Sequence, residues 1–203
     1  MNHLLYHEQF YGSPTATIFE ENKYLAALLQ DLVPLGKYCL DFGCGTGYWT
    51  QHLARCGARV VGIDSEVVPS GALHDCCDCT YIVYESAQLP FADSTFDIVL
   101  ASWVFQELIQ DELFSKVLCE LKRVLKSEGR FVVVDNIYPD SRILRSSTAL
   151  GDIFEKAGQE DLLRLFPQNS VAAILHSLSL DITHHHMCGQ SFFEVYRKRV
   201  KSS

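Results

Sequence analysis

Three glycines at alternate positions follow a short apolar run that contains one carboxylate. The stretch LDFGCGTGYWT places Gly43, Gly45 and Gly47 directly behind Asp41. Glycines at such a place let the backbone turn tightly and approach a ligand without intervening side chains. The dinucleotide fingerprint G-x-G-x-x-G aims a helix N-terminus at a pyrophosphate, but here Tyr48 occupies the place of the third fingerprint glycine. A pyrophosphate is therefore disfavoured, and Asp41, which would repel a phosphate, favours a ligand that carries a positive group.

Two further strand-like runs end in carboxylates that suit a nucleoside. Asp64 ends RVVGID, and one carboxylate can accept hydrogen bonds from both hydroxyls of a ribose. Glu85 ends TYIVYE, where it and the backbone of Ser86 could contact an adenine amino group and ring nitrogen. A carboxylate at Asp64 excludes a 2′-phosphate, but it leaves NAD and other adenosine ligands open.

The chain has eight cysteines, and only the stretch HDCCDC clusters them. Its His74, Cys76, Cys77 and Cys79 are possible zinc ligands, but no second ligand pair at finger-like spacing follows, so we expect no metal site. The other five are scattered through apolar or glycine-containing stretches, as expected of buried thiols in a reducing compartment: Cys39, Cys44, Cys56, Cys119 and Cys188.

Three consecutive histidines lie in the run LDITHHHM near the end of the chain. Strand alternation would place His184 and His186 on one face and His185 on the other. We expect ordinary edge-strand residues, with a base or a weak metal ligand on the substrate side as the alternative. No catalytic dyad is evident in the sequence, and His7, Tyr138 and these histidines are the places to look for a base.

The segments that must position these residues alternate between strands and helices. Short apolar runs predict strands at KYCLDF, RVVGID, TYIVYE, FDIVLAS and RFVVVD, and helical spacing predicts helices over 18–32, 48–56 and 111–129. The last two runs, LDITHHHM and SFFEVYRKRV, are joined only by CGQ, so they should form a hairpin. The pattern predicts an α/β, doubly wound, Rossmann-like parallel sheet with helices on both sides and a hairpin at one edge.

Composition indicates one globular domain spanning residues 1–203, with 48% apolar residues. The net charge of −8 argues against nucleic acid as a partner, although RKRVK near the end is locally basic. No apolar run approaches the roughly 18 to 20 residues of a membrane span, and the N-terminal stretch lacks the layout of a signal peptide. We therefore expect a cytoplasmic protein with a small or uncharged substrate.

Four segments in their order and spacing resemble the class I S-adenosylmethionine-dependent methyltransferases, in particular the type 11 methyltransferase-domain group: LDFGCGTG, VVGIDSE, ESAQLPFADSTFDIVLAS and LKRVLKSEGRFVVVD. The resemblance covers residues 36–135 and, in outline, the terminal hairpin. It implies a seven-stranded sheet in the order 3-2-1-4-5-7-6 with strand 7 antiparallel. It also implies that the cofactor, S-adenosylmethionine, lies across the ends of strands 1, 2 and 4.

The resemblance further implies roles for individual residues. Asp41 matches the acidic position that orders the methionine amino group, and Asp64 matches the acid that binds the ribose. The other implied cofactor contacts are the backbone beside the methionine portion (Gly43, Cys44, Gly45), the adenine side (Ser65, Glu85, Ser86), the methyl-transfer end of strand 4 (Ala101, Ser102) and an N-terminal aromatic lid residue (Tyr11 or Tyr6).

The expected activity is methyl transfer to a small-molecule acceptor, with the accepting atom and the oligomeric state left open. The N-terminal segment 1–35 and the insertion 136–170 are expected to cover the cofactor and hold the acceptor. The family often has two histidines after strand 4 where this chain has Gln106 and Glu107, so no role of those histidines is carried over. The alternatives are a catalytically silent domain that binds S-adenosylmethionine or a partner, and an NAD-dependent oxidoreductase on the same sheet.

Overall fold

The structure is a computed structural model that describes residues 15–33, 35–65, 78–84, 86, 88–105, 114–136, 180–188 and 191–198. Its helices are α1 (Thr15–Leu32), α2 (Tyr48–Arg55) and α3 (Phe114–Val124). Its strands are β1 (Tyr38–Phe42), β2 (Arg59–Asp64), β3 (Cys79–Val83), β4 (Phe96–Ser102), β5 (Leu125–Asn136), β6 (Leu180–Cys188) and β7 (Ser191–Lys198).

The strands form one seven-stranded sheet in the order β3-β2-β1-β4-β5-β7-β6. The first five pair in parallel with their neighbours, whereas β7 is antiparallel to both β5 and β6. The predicted α/β sheet, its order and its antiparallel hairpin are confirmed. Because β1 to β5 all run the same way, their carboxyl ends meet at one edge of the sheet, which is where ligands bind in open α/β sheets.

Two apolar clusters hold the helices against the two sides of the sheet. On the side that we call the α1 face, Leu25 and Leu29 of α1 and Leu53 of α2 pack on strand residues such as Leu100 and Val132. On the opposite side, the α3 face, a second set from α3 and five strands forms the larger cluster: Leu40, Val61, Val99, Val117, Leu118, Leu121, Phe131 and Phe192. Alternation along β1 therefore turns Asp41 toward α2, because Leu40 faces the other way.

The junction between α3 and β5 differs from the sequence prediction. The helix that was expected to reach Gly129 ends at Val124, and β5 begins at Leu125. Leu125 is fully buried and pairs with Phe96, so pairing with the sheet removes its side chain from water. Glu128 has a φ of 64°, which a right-handed helix does not allow.

The cysteines mostly follow the expectation of buried thiols. Cys39 and Cys44 are buried, and Cys56 and Cys188 are half-buried. The expectation is wrong for Cys119, which is exposed because it lies on the outer side of α3 while Leu118 and Leu121 face the sheet. In the HDCCDC stretch, residues 74–77 lie outside the described residues, and Cys79 begins β3. No helix in the part of the chain that the structure describes is long and apolar enough to span a bilayer.

Candidate functional site

The glycine motif forms a tight turn between β1 and α2 that is tied to the end of β2. Gly43, Gly45 and Gly47 have φ values of 71°, 51° and 78°, which side chains rarely tolerate. The backbone N–H groups of Gly43 and Cys44 both donate to the carbonyl oxygen of Ile63, at 2.8 and 3.1 Å. The turn is thereby fixed at the carboxyl edge of the sheet, before the first turn of α2.

The glycines of this turn meet different surroundings. A Cβ atom at Gly43 would lie 2.4 Å from a methyl carbon of Val104, and one at Gly47 would lie 2.7 Å from the Tyr81 ring. A Cβ atom at Gly45 would have nothing within 4 Å among the described residues. Gly43 and Gly47 are therefore required by close packing, whereas Gly45 presents backbone that none of the described side chains covers.

Asp41 is a carboxylate buried at the base of this turn, with no exposed surface. The Thr50 hydroxyl, from the first turns of α2, donates to Asp41 Oδ2 at 2.6 Å, whereas Oδ1 has no hydrogen-bond partner among the described residues. Burial raises the pKa of Asp41 to about 7, with a further increase from the nearby charge of Asp64. A buried oxygen without a donor is costly, and a cationic ligand group would relieve that cost.

Asp64 lies on the other side of the glycine turn, at the end of β2. Its Oδ2 accepts the backbone N–H of Gly45 at 2.7 Å, and its side chain is half-buried. The turn therefore has a carboxylate on either side, from two neighbouring strands. Such a site favours a ligand with a positive group at Asp41 and hydrogen-bond donors at Asp64.

This arrangement is supported by three residues that the sequence analysis did not single out: Thr50, Gly62 and Tyr81. Gly62 lies opposite Asp41 in the β1–β2 pair, and Tyr81 lies opposite Gly62 on β3. A Cβ atom at Gly62 would lie 2.9 Å from Thr50 Oγ1 and 3.0 Å from both Cys44 Sγ and the Tyr81 ring. The missing side chain thus makes room for the Thr50 hydroxyl beneath Asp41. A glycine within the buried strand RVVGID was the available signal, because glycine in a strand often marks such a close approach.

The remaining residues predicted for the site are placed as follows. Ser65 and Ser86 are exposed, and Ser86 Oγ accepts the backbone N–H of Gln88 at 3.1 Å. Ala101 is fully buried in the α3-face cluster, so only its backbone is available to a ligand, and Ser102 is half-buried at the end of β4. Glu85, Tyr11 and Tyr6 lie outside the described residues, as do His7 and Tyr138.

Two tryptophans stand beside the site on the α1 face. Trp103, directly after β4, has a φ of 52°, and its backbone N–H donates to Val134 O at 2.7 Å. Its indole N–H donates to Ser191 Oγ at 3.0 Å, and its ring stacks on Trp49 of α2 at a centroid distance of 6.3 Å. The Trp103 side chain therefore connects β4, β7 and α2. Phe105 is buried in the α3-face cluster.

The three histidines of β6 alternate as predicted. His184 and His186 face α1, where the Tyr24 hydroxyl and His184 Nε2 are 2.7 Å apart and the Tyr24 and His186 rings stack at 4.1 Å. His185 faces the other way, with Nδ1 3.2 Å from Glu194 Oε1. Burial lowers the pKa of His184. Within the described ranges, no three His, Cys, Asp or Glu side chains are grouped so that they could hold a metal ion.

Comparisons with known proteins agree with this geometry. Residues 40–133 match a family model described as a methyltransferase domain. An uncharacterized methyltransferase from Synechocystis is 33% identical over 123 residues, which are 60% of this chain and 58% of the relative. A demethylmenaquinone methyltransferase from Corynebacterium glutamicum is 36% identical over 138 residues, which are 68% of this chain and 54% of the relative. The chain thus spans about half the length of the curated relatives it matches.

A likeness to solved structures extends over most of the chain. A SAM-dependent methyltransferase from Methanosarcina mazei superposes with a TM-score of 0.65 at 16% identity, over 86% of this chain and 98% of the other. At that identity the likeness shows the fold alone.

Proposed function

We propose that this chain is a class I methyltransferase that transfers a methyl group from S-adenosylmethionine to a small organic acceptor, because residues 40–133 match a family model described as a methyltransferase domain. The observation that carries the proposal is Asp41, a fully buried carboxylate whose Oδ1 has no hydrogen-bond partner among the described residues. An α-ammonium group would satisfy that oxygen and its charge together. A pyrophosphate would meet two carboxylates instead of donors.

The residues present fit this cofactor. Asp41 would hold the methionine ammonium group, the bare backbone at Gly45 would lie against the methionine portion, and Asp64 would accept hydrogen bonds from the ribose hydroxyls. The cofactor, when bound, supplies a methyl group that is already activated on a sulfonium. The chain's own task is then to orient the two reactants and to exclude water.

The acceptor is the finer part of the proposal. The curated relatives include methyltransferases named for demethylmenaquinone and for a sterol, which are small molecules. We expect the segments that precede β1 and follow β5 to select the acceptor, because they flank the matched stretch 40–133 in sequence. Most of those segments, 1–20 and 136–170, lie outside the described residues.

Calorimetry with S-adenosylmethionine and with S-adenosylhomocysteine tests the cofactor. We expect both to bind the wild-type chain and Asp64→Ala to abolish binding. Asp93→Asn is the matched control, because it removes an exposed carboxylate elsewhere and should leave the affinity unchanged. If neither ligand binds at millimolar concentration, the methyltransferase proposal is wrong.

A methyl-transfer assay distinguishes an active methyltransferase from a catalytically silent binding domain. Incubation of the chain and methyl-tritiated S-adenosylmethionine with a small-molecule extract should label an acceptor. Binding of the cofactor without any labelled acceptor would support the silent domain, and binding of NADH in place of both ligands would support an oxidoreductase.

A further inference from the structure

The surroundings of Asp41 favour a carboxyl group that keeps its proton. The side chain has no exposed surface, and the hydroxyl of Thr50 donates to Oδ2 at 2.6 Å. Among the described residues, the charged group that acts on Asp41 is Asp64, a second carboxylate, rather than a lysine or an arginine. Burial and a like charge both disfavour the ionised form, and they raise the pKa of Asp41 to about 7. In the absence of a ligand, Asp41 is therefore mostly protonated below neutral pH.

The uncharged titratable groups around Asp41 stay uncharged near neutral pH. Cys39 lies on the same face of β1, Cys44 lies in the glycine turn, and Tyr81 lies in the same row of the sheet on β3. Burial raises the pKa of Cys39 to about 12 and also raises the pKa values of Cys44 and Tyr81, so all three remain protonated. On β4 the paired residue is Leu100, which is apolar. These neighbours therefore do not compensate a change of charge at Asp41.

A bound ammonium group would reverse the preference of Asp41 for its proton. A methionine portion that lies against Gly45 has a carboxylate on either side, because the Gly45 N–H donates to Asp64 Oδ2 at 2.7 Å while Asp41 lies at the base of the same turn. An opposite charge within about 4–6 Å lowers the pKa of a carboxyl group by about 1–3. This attraction acts through space, so it requires no contact with the buried Oδ1 atom. With the ligand bound, the ionised form of Asp41 is then the stable one at mildly acidic pH.

We propose that binding of the methyl donor, or of its demethylated product, releases the proton of Asp41 to solvent, so that acidification below neutral pH weakens the binding of both ligands. The inference rests on the proposed function and adds a pH-dependent control to that site. It concerns the occupancy of the donor site and is independent of the acceptor.

Binding and the ionisation of Asp41 are coupled in one direction. The proton leaves the carboxyl group for solvent, while the ligand keeps all of its own protons. Acidification therefore opposes binding. The affinity rises with pH until Asp41 is ionised in the absence of a ligand as well, and it then levels off.

Calorimetry at two pH values tests the coupling with two ligands. For the wild-type chain and S-adenosylhomocysteine, we expect the association constant to be about tenfold higher at pH 7.5 than at pH 5.5. 5′-Methylthioadenosine is the matched control ligand, because it keeps the adenosine and the thioether but has no ammonium group. Its association constant should change by less than about twofold over the same range.

The released proton can be counted directly at pH 6.5. Titrations in phosphate and in imidazole buffer, which differ in their enthalpy of ionisation, should show that about 0.7 proton leaves when S-adenosylhomocysteine binds the wild-type chain. Asp41→Asn should release none. Asp93→Asn removes an exposed carboxylate elsewhere and should release as much as the wild-type chain.

Carbon NMR observes Asp41 itself and does not depend on binding by the variant. In a chain labelled with 13C-aspartate, the carboxyl signal that is missing from Asp41→Asn belongs to Asp41. We expect this signal to titrate near pH 7 without ligand and at a lower pH with S-adenosylhomocysteine bound. An Asp41 signal that titrates at the same pH in both states would overturn the inference.

The two ligands also separate this inference from the proposed function. An association constant for S-adenosylhomocysteine that changes by less than about twofold, or an equal pH dependence for 5′-methylthioadenosine, would overturn the proton release and leave the cofactor proposal standing. Proton release by Asp41→Asn equal to that of the wild-type chain would do the same. If the wild-type chain binds neither ligand at either pH, the proposed function fails, and this inference fails with it.

Discussion

Asp41 shows how burial changes the chemistry of a single carboxylate. Its carboxylate is buried, its Thr50 contact satisfies one oxygen, and its pKa is raised to about 7, mainly by burial. The sequence predicted that this carboxylate lies in the apolar strand directly before the glycine turn. It did not predict the contact with Thr50. The two residues are separated along the chain, and they meet only because α2 folds back along β1.

The raised pKa of Asp41 predicts a pH-dependent cost to stability. Between its ordinary pKa of 3.8 and its folded pKa of about 7, the folded state retains a proton that the unfolded chain releases, so the free energy of unfolding falls as the pH rises through this window. Asp41→Asn removes the effect. We expect the variant to gain little over wild type near pH 4 and up to about 4 kcal/mol at pH 8, at about 1.4 kcal/mol per pKa unit.

Urea denaturation of the wild type and of Asp41→Asn at about pH 4 and pH 8 measures the difference between their free energies of unfolding. The other titrating groups contribute equally to both proteins and cancel in this difference. A difference that is the same at both pH values would contradict the assigned burial of Asp41.

At the scale of elements, the turn after β1 was predictable in its chemistry but not in its packing. The alternate glycines indicated tight backbone, and all three have positive φ. Which of them is packed and which is open depends on Val104 and Tyr81, which are distant in sequence. The end of α3 was mispredicted for a similar reason, because the pairing of Leu125 with Phe96 is a long-range contact.

Alanine at two of these glycines should separate packing from backbone strain. Gly43→Ala combines a positive φ with a 2.4 Å approach to Val104, so we expect a loss of about 2–4 kcal/mol in the free energy of unfolding. Gly45→Ala has the strain alone and should lose about 1–2 kcal/mol. Equal losses in urea denaturation would show that the Val104 side chain moves away from the added methyl group without lowering the free energy of unfolding.

Arg123 links α3 to the turn before β4 through hydrogen bonds. Its guanidinium makes two hydrogen bonds of 2.7 Å to Glu120, one of 2.8 Å to Asp93, and two to the carbonyl oxygens of Phe91 and Leu89. The side chain is 26% exposed, so the network is partly shielded from water.

We expect Arg123→Ala to lower the free energy of unfolding by about 2 kcal/mol and Arg123→Lys, which cannot make the bidentate contact, by about half as much. Asp93→Ala is the control, because that carboxylate is 78% exposed and should contribute less than about 0.5 kcal/mol. A larger loss for Asp93→Ala than for Arg123→Ala in thermal or urea denaturation would contradict this account.

For the whole molecule, the sequence predicted the α/β sheet and its hairpin, and the resemblance supplied the strand order that the structure confirms. The pairs formed by Glu194 with His185 and by Trp103 with Ser191 were not predictable, because both depend on the register of β7. Buried apolar runs specify that strands pair, but not which polar residues then become neighbours.

The placement of the tryptophans offers an optical signal for ligand binding. The chain has only two, Trp49 and Trp103, and both lie at the carboxyl edge with their rings 6.3 Å apart. We expect S-adenosylhomocysteine to change the tryptophan emission with a midpoint equal to the Kd from calorimetry, and Trp103→Phe to reduce the change by about half. Calorimetric binding without any change in emission would place the ligand away from this edge.

In strand pairing, the hairpin of β6 and β7 meets the rest of the sheet at β5, along residues 130–136, and it lies beyond the stretch that matches the family model. An exchange of the hairpin should therefore leave β1 and β2, the strands that carry Asp41 and Asp64, in their places in the sheet. A chimera that receives the hairpin of a relative, with the Tyr24 contacts of β6 preserved, would keep its own affinity for the methyl donor.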